Sequence, residues 1–456
     1  MTPWSRVTWH VAMALVLTSV SLVLFVHAAD VNADTKTADD EAKASIPPLS
    51  AMDAYDVIGI LFMAFGLIFS SAGGVGGGVI MVPAMVLIMG FDIKRATPIS
   101  NAAIFGGAVA NTSFNLLKRH PHVDRPLIDS DLCLVMIPLV IGGAVIGAVI
   151  SKLLPSFIIT ILFVVILLAG SFRTVQKGIR LHKKEVTTKK AEEETGLREP
   201  AQSPVTSSSH YVPALTPPIP GTDSQDDTLT QILERERHFS WTKQGVIVLC
   251  YLGIVTASIL NKVVECGGVA YWVILVVEIP WVVIFSVFTS ILLLKDHRRK
   301  VAVGYPFVDG DVQWTKKAVI WFPLGCAVAG IFAGLFGVGG AIVTGPMMIE
   351  IGVVPEVISA TSALMVLYSA AAATAKFAVF DLIAWDWAAL LCGLAFVVTS
   401  ISQVIILGYV RRTGRQSIVI LCIGVAVSVG TVLMTYQAIK VTISDAGKPF
   451  HADVCS

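Results

Sequence analysis

Residues 72–83 read AGGVGGGVIMVP and residues 335–346 read LFGVGGAIVTGP, two copies of one pattern. Each copy interrupts an apolar run with clustered glycines and sets a proline at the same distance beyond. Alignment pairs Gly74 with Gly337, Gly76 with Gly339, Gly77 with Gly340 and Pro83 with Pro346. After a one-residue gap, Gly90 pairs with Gly352, Ser100 with Ser362 and Thr112 with Thr374. The chain therefore repeats itself, residues 57–176 against 317–438, and such a repeat governs how every other motif is read.

Working outward, the composition says what surrounds the repeat. Only 14% of the 456 residues are charged, 33 Lys+Arg and 32 Asp+Glu, while 55% are hydrophobic. A soluble domain carries about 25% charged residues, so a soluble surface of this size could not be covered. Disorder, collagen and a disulfide scaffold are excluded by the same figures. A net charge of +1 provides no basic face for nucleic acid. The seven cysteines, at 133, 250, 266, 326, 392, 422 and 455, form no CxxC and no Cys/His cluster. Neither a metal site, a disulfide framework nor a cofactor is implied; those in apolar runs read as small hydrophobes in helices.

Residues 1–29 read as a cleaved signal peptide, VHAAD supplying the small residues of a cleavage site, or alternatively as an uncleaved first anchor. Residues 30–56 are a polar, acidic, non-cytoplasmic tail. The first membrane repeat, 57–176, holds apolar runs at 57–89, 96–117, 131–151 and 156–176. Residues 177–240 collect 19 of the charges, with SPVTSSSH and LTPPIP, and are expected to be a hydrophilic, disordered cytoplasmic linker. Residues 241–316 add two inserted membrane helices and a loop, with runs at 243–261 and 269–294. The second repeat, 317–440, holds runs at 317–351, 357–379, 385–410 and 415–438, and 441–456 form a tail. Each run is long enough to cross a hydrocarbon layer of ~30 Å.

Basic residues gather on the cytoplasmic side of short loops. Lys118, Arg119 and Arg125 mark one loop, Lys177 to Lys190 the linker, Lys295 to Lys317 a third region, and Arg411, Arg412 and Arg415 a fourth. All four share one side only if each glycine-broken run enters and returns as a hairpin of two short helices. Lys94 and Arg95 then fall on the opposite side, against the rule. The expected fold is an all-α polytopic membrane protein, integral and multi-pass, in either the plasma membrane or an endomembrane. It is an inverted repeat of two helical blocks, each opening with a Gly-broken helical hairpin, plus the two inserted helices, an arrangement shared by many secondary transporters.

Glycine-rich backbone at membrane depth is costly unless it lines a cavity. Helices restarting at about Val79 and Ile342 would present free amides and positive dipole ends, which suit a small anion. The expected substrate site is therefore Gly74, Gly76, Gly77, Gly78, Pro83, Ser100, Asn101, Gly337, Gly339, Gly340, Pro346, Thr361 and Ser362. Gly143 and Gly147 read instead as a close-packing seam. The helix after each hairpin is polar: Thr97, Ser100, Asn101, Asn111, Thr112, Ser113 and Asn115 first, then Ser359, Thr361, Ser362, Ser369, Thr374 and Lys376. Lys376 is placed equally as a snorkelling residue or a substrate contact. Glu278 is assigned a structural or lipid-edge role. Glu350, set at the tip of the second hairpin, is a candidate to pair with a coupling cation or carry a coupling proton.

GGVGGGVIMVPAMVLIMGFD (73–92), ATPISNAAIFGGAVAN (96–111) and AGLFGVGGAIVTGPMMIEIGVVPEVISATSA (333–363) resemble the TauE/SafE sulfite-exporter family. The loop KRHPHVDRPLIDSDL (118–132), Cys266 and the EIPW turn resemble its longer plant and protist version. The likeness covers roughly residues 55–440. It implies movement of sulfite, an organosulfonate or a related oxyanion across a lipid bilayer. The sequence departs from the pattern at Ala341, where the first copy has Gly78, and at Ile99–Ser100–Asn101. A membrane receptor or trafficking scaffold working through residues 177–240 is the competing reading, which leaves the glycine hairpins without a purpose. An intramembrane enzyme is not expected: no GxGD pattern appears, and His120, His122, His182 and His297 are read as loop residues.

Overall fold

The computed structural model describes residues 49–72, 76–120, 123–194, 223–264, 268–308, 310–315, 317–413 and 417–445. The signal peptide or anchor, Gly74, His122, Cys266, Arg415, residues 195–222 of the linker and 446–456 of the tail lie outside these. The described residues form thirteen α-helices and no β-strand. In chain order they are α1 (Ala54–Ala72), α2 (Gly78–Leu87), α3 (Ile93–Leu116), α4 (Ser130–Leu153) and α5 (Ser156–Glu194). There follow α6 (Asp223–Glu236), α7 (Trp241–Val263), α8 (Val269–Ala302), α9 (Ala318–Phe336) and α10 (Ala341–Glu350). The last three are α11 (Pro355–Val379), α12 (Trp385–Thr413) and α13 (Ser417–Asp445). Seven of these helices are long and apolar enough to span a bilayer, so the protein is an integral, multi-pass membrane protein. Helix persists through residues 177–194 and 223–236, where a disordered linker is expected, because α5 runs past its apolar segment and α6 forms.

Both long runs break where the glycines stand. α1 ends at Ala72 and α2 starts at Gly78; α9 ends at Phe336 and α10 starts at Ala341. α2 and α10 have ten residues each, about 15 Å at 1.5 Å per residue, half a hydrocarbon layer. Side-chain neighbours show each pair folded back on itself. A Cβ on Gly59 would meet Met89 and one on Gly66 would meet Ile80, so α1 and α2 are antiparallel. A Cβ on Gly325 would meet Met347 and one on Gly340 lies 3.5 Å from the Ala329 carbonyl oxygen, so α9 and α10 are antiparallel too.

The two hairpins open at opposite ends of α4. At its C-terminal end, Lys94 donates to the Lys152 carbonyl (3.4 Å) and Ser156 to Asp92 (3.2 Å), which places the mouth of α1–α2. At its N-terminal end, Asp129 N donates to Thr361 (3.2 Å), and Gly310 sits against Val354, which places the mouth of α9–α10. Lys94 and Arg95 thus lie at the other end of α4 from the basic 118–132 loop. Glu350, expected at a hairpin tip, is instead the exposed last residue of α10, at the mouth.

α3 and α11 run through the middle of the bundle, buried over most of their length. Their polar residues are sheltered by protein, while α8 turns Val276, Val277 and Ile284 outward, as a lipid-facing helix does. α4 packs on α9 as α1 packs on α12; α3 on α12 as α4 on α11; α2 on α13 as α5 on α10. The α4–α9 crossing is a glycine seam. A Cβ on Gly143 would lie 2.9 Å from Ile331 N, one on Gly147 2.8 Å from Leu335 N, and one on Gly334 2.8 Å from the Ala144 carbonyl carbon. Only a missing side chain lets the two backbones come this close.

Candidate functional site

The two glycine breaks touch. A Cβ on Gly78 would lie 2.5 Å from Val338 Cα and closer still to the Gly337 carbonyl oxygen. The backbone conformations repeat with the sequence: Gly76 and its aligned Gly339 have φ of 73° and 74°, and Gly337 has 65°. These left-handed values are open to glycine at no steric cost. Gly77 and Gly340, the N-caps of α2 and α10, share helical values, φ −77° and −67°. Neither supplies a side-chain cap, so the first-turn amides of both half-helices are left to the break itself.

α3 and α11 line this junction. Ser100 donates to the Gly337 carbonyl at 2.7 Å, capping the end of α9. Thr97 abuts Gly337, and the Asn101 amide donates to the Thr97 carbonyl at 3.2 Å. Gly76 rests between Ile104 of α3 and Val366 of α11, which occupy aligned positions; a Cβ there would meet them at 3.1 and 3.3 Å. Thr97 Oγ1, Asn101 Oδ1 and Ser362 Oγ are buried and have no hydrogen-bond partner. Each such atom costs about 1–3 kcal/mol when left unpaired, a cost that a polar ligand or water would offset.

Not every expected residue joins the junction. Gly77 and Gly340 face the first arms of their own hairpins, at Leu67 and Ala329. Pro83 and Pro346 lie inside α2 and α10, past the break. Thr361 turns away to accept from the Asp129 amide. Gly74 is outside the described residues. Gln403 is a residue the sequence reading missed. Its amide donates to the Ser71 carbonyl (3.1 Å), as does that of Asn111 (3.2 Å), and together they satisfy the C-terminal end of α1. Its signal is a lone amide side chain within the apolar run 385–410.

Lys376 takes neither of its expected roles, while Glu278 takes the structural one of its two. Lys376 is 0% exposed and neither snorkels nor faces the junction; it pairs with Glu278, 5% exposed, at 2.7 Å. Glu278 is therefore buried and not at a lipid edge. His297 lies in α8 and not in a loop. Cys133, Cys250 and Cys326 are buried free thiols, as their apolar runs imply.

Two cavities accompany the junction. One, of about 40 Å³, lies between α3, α7 and α11, and its lining includes Thr112, Gln244 and Tyr251, each with an unpartnered buried polar atom. The other, of about 370 Å³, opens at the N-terminal end of α4. Several of its charges are paired: Asp131 with Lys243 and Lys300, Lys300 with Glu236 (2.6 Å), and Arg125 with Asp311. Burial, and then the neighbouring Asp131 carboxylate, push the Asp129 carboxyl above its usual range, although it caps α4 by accepting from Asp131 N and Leu132 N.

The family model for the sulfite exporter TauE/SafE matches residues 3–174, 58–207 and 228–429. An Arabidopsis thaliana protein named sulfite exporter TauE/SafE family protein 3 is 31% identical over 364 residues, covering 80% of this chain and 74% of its own. Family protein 5 of the same plant is 28% identical over 402 residues, covering 86% and 85%. No solved structure matches the chain. Broken half-helices, a sheltered polar core and these matches agree, and the chain belongs to the sulfite exporter TauE/SafE family of membrane transporters.

Proposed function

We propose that this protein is a secondary transporter of a small anion, either sulfite, an organosulfonate or a related oxyanion, bound where the two glycine breaks meet. The observation that carries the reading is the contact of Gly78 with Gly337 and Val338. It sets the uncapped N-terminus of α2 against the break that leads into α10, whose own N-terminus also lacks a side-chain cap, beside three unpartnered polar atoms on α3 and α11. Free amides and positive dipole ends favour an anion, and glycine lets it approach the backbone. The names of the plant relatives, sulfite exporters, point to the same chemical class.

The two halves act as inverted copies in this reading. Hairpins opening at opposite ends of α4 support it, as do matched φ values and packing pairs that recur between aligned helices. Rocking of one half against the other would expose the junction to each side in turn. The 370 Å³ cleft is the antechamber at one end.

The test is flux of labelled sulfite, sulfate and an organosulfonate into proteoliposomes holding the full chain. Saturable entry of at least one of them is expected, together with its loss when Gly76, Gly78, Gly337 and Gly339 are each replaced by leucine. The reading is wrong if none of the three enters, or if all four leucine variants keep wild-type flux.

A further inference from the structure

The buried pair Glu278–Lys376 lies outside the junction, and the repeat does not require it. Lys376 Nζ meets Glu278 Oε1 at 2.7 Å. The position aligned with Lys376 in the first half is Phe114, and Glu278 belongs to α8, one of the inserted helices. An acid from outside the repeat thus reaches into the bundle to meet a base on one of its two central helices. Removing two charges from water is expensive, and ionisable groups inside membrane segments mark ion and proton pathways by default.

The surroundings leave the pair room to change partners. On α7, Ser258 donates to the same carboxylate oxygen at 3.5 Å. Asn261, one turn further along α7, is buried with neither amide atom partnered. Tyr271 lies two turns before Glu278 on the same face of α8. On the lysine side, the Phe380 ring is 5.9 Å from Lys376 Nζ and 5.1 Å from Lys152 Nζ of α4. Lys94 of α3 reaches the Lys152 carbonyl, and Asp381 follows at the end of α11. Among the described residues Glu278 is the carboxylate ion-paired with Lys376, at an end of the bundle where Lys94, Lys152 and Lys376 gather. Lys376 is ten residues along α11 from Val366, which touches Gly76, about 15 Å of helix.

Resting on the anion reading above, we propose that Glu278 carries the coupling proton and that Lys376, once released, holds the anion on its way to or from the junction. A proton from the aqueous side bonds to a Glu278 carboxylate oxygen, giving a neutral carboxylic acid, and the salt bridge opens. Lys376 keeps its ammonium charge and exchanges the carboxylate for the anion in its singly charged form, hydrogensulfite or a monosulfonate. The site holds one cation and one anion before and after, so no unpaired charge is buried at either stage. When the anion leaves, the ammonium draws the carboxylate back and the proton returns to water.

The experiment uses the full chain in proteoliposomes with a trapped pH-sensitive dye and labelled sulfite. Wild type is expected to move protons with sulfite, and an inward proton gradient to speed sulfite entry at least tenfold. Glu278→Gln should abolish proton movement, leaving any residual sulfite flux indifferent to pH. Lys376→Met should lower flux tenfold or more. The double variant Glu278→Gln/Lys376→Met leaves no charge unpaired, so it separates coupling from folding: wild-type melting without proton movement is expected. Proton-coupled flux at the wild-type level in that double variant would reduce the pair to a clamp and overturn the proposal. Sulfite flux without protons in wild type would overturn it too, while leaving the anion reading intact. Where sulfite is not carried, infrared titration decides Glu278 by itself, and the anion reading falls only if sulfate and the organosulfonate fail to enter as well. A protonated-carboxyl band that rises with acid in wild type and is missing in Glu278→Gln is expected; its absence in wild type overturns the proposal.

Discussion

A single methyl group placed at Gly78 tests the junction most directly. The new Cβ would lie 2.5 Å from Val338 Cα, against 3.4–4 Å for ordinary contact, and nearer still to the Gly337 oxygen. Both neighbours are backbone, so no side-chain rotation can relieve the overlap. Ile104 Cδ1 closes a third side at 2.6 Å. Overpacking of this kind costs about 1–3 kcal/mol, and each 1.36 kcal/mol is about tenfold in a rate. Gly78→Ala should therefore lower sulfite flux by about one to two orders of magnitude if the strain spreads the two breaks, or lower the melting temperature if the fold absorbs it. The aligned position already holds alanine, Ala341, buried without such a clash. The demand for glycine thus comes from the contact between halves and not from the local turn. Gly345→Ala in α10 is the control. Nothing lies within 4 Å of its added methyl, and helix propensity favours alanine over glycine by up to about 1 kcal/mol, so its sign should be opposite. Proteoliposome flux and detergent melting are measured on both variants. Gly78→Ala with flux within twofold of wild type and an unchanged melting temperature would refute the idea that the breaks are in contact.

Three further outcomes are expected. Gly147→Leu and Gly334→Leu should each prevent stable folding, because the α4–α9 backbones are under 3 Å from the added carbon; monodispersity on size exclusion reads this, and a stable, well-behaved variant would mean the seam is looser than described. Asp131→Asn should destabilise by about 1–2 kcal/mol, since it removes a carboxylate shared by Lys243 and Lys300, which are only partly exposed; thermal melts at low and high salt check it, the difference shrinking with salt. Membrane-impermeant thiol labelling of Arg119→Cys and Asp92→Cys, in a background without the native cysteines, should report opposite sides of the membrane; labelling from one side would sink the paired-hairpin topology.

Reading the chain alone located both breaks within a residue or two, because clustered glycines and a shift in hydropathy are local properties. Gly76 and Gly339 were readable as a pair for the same reason: one turn geometry demands one residue type. The tie between Ser100 and Gly337 was only half legible. A serine past the break suggested a hydrogen-bond donor, while its partner lies 237 positions away on a different hairpin. Thr361 shows how the same logic fails. It looks equivalent to its neighbour Ser362, yet one step along a helix turns a side chain by about 100°, and that rotation sends it to Asp129. Gln403 was passed over and the partner of Glu278 was not legible, because a polar side chain in an apolar run announces a need for a partner without naming it.

The amino-acid sequence determined by itself that this is a multi-pass helical membrane protein with two glycine-broken repeats, since hydropathy, helix breaking and repetition act over tens of residues. Tertiary structure alone decided that the two breaks meet at Gly78 and Gly337, that the seam of Gly143 and Gly147 closes on α9 at Gly334, and that Glu278 of an inserted helix pairs with Lys376. The physical reason is range. Membrane insertion and backbone conformation are set by hydropathy and residue type along near neighbours in the chain, whereas contact between helices depends on crossing geometry that only the packed bundle supplies.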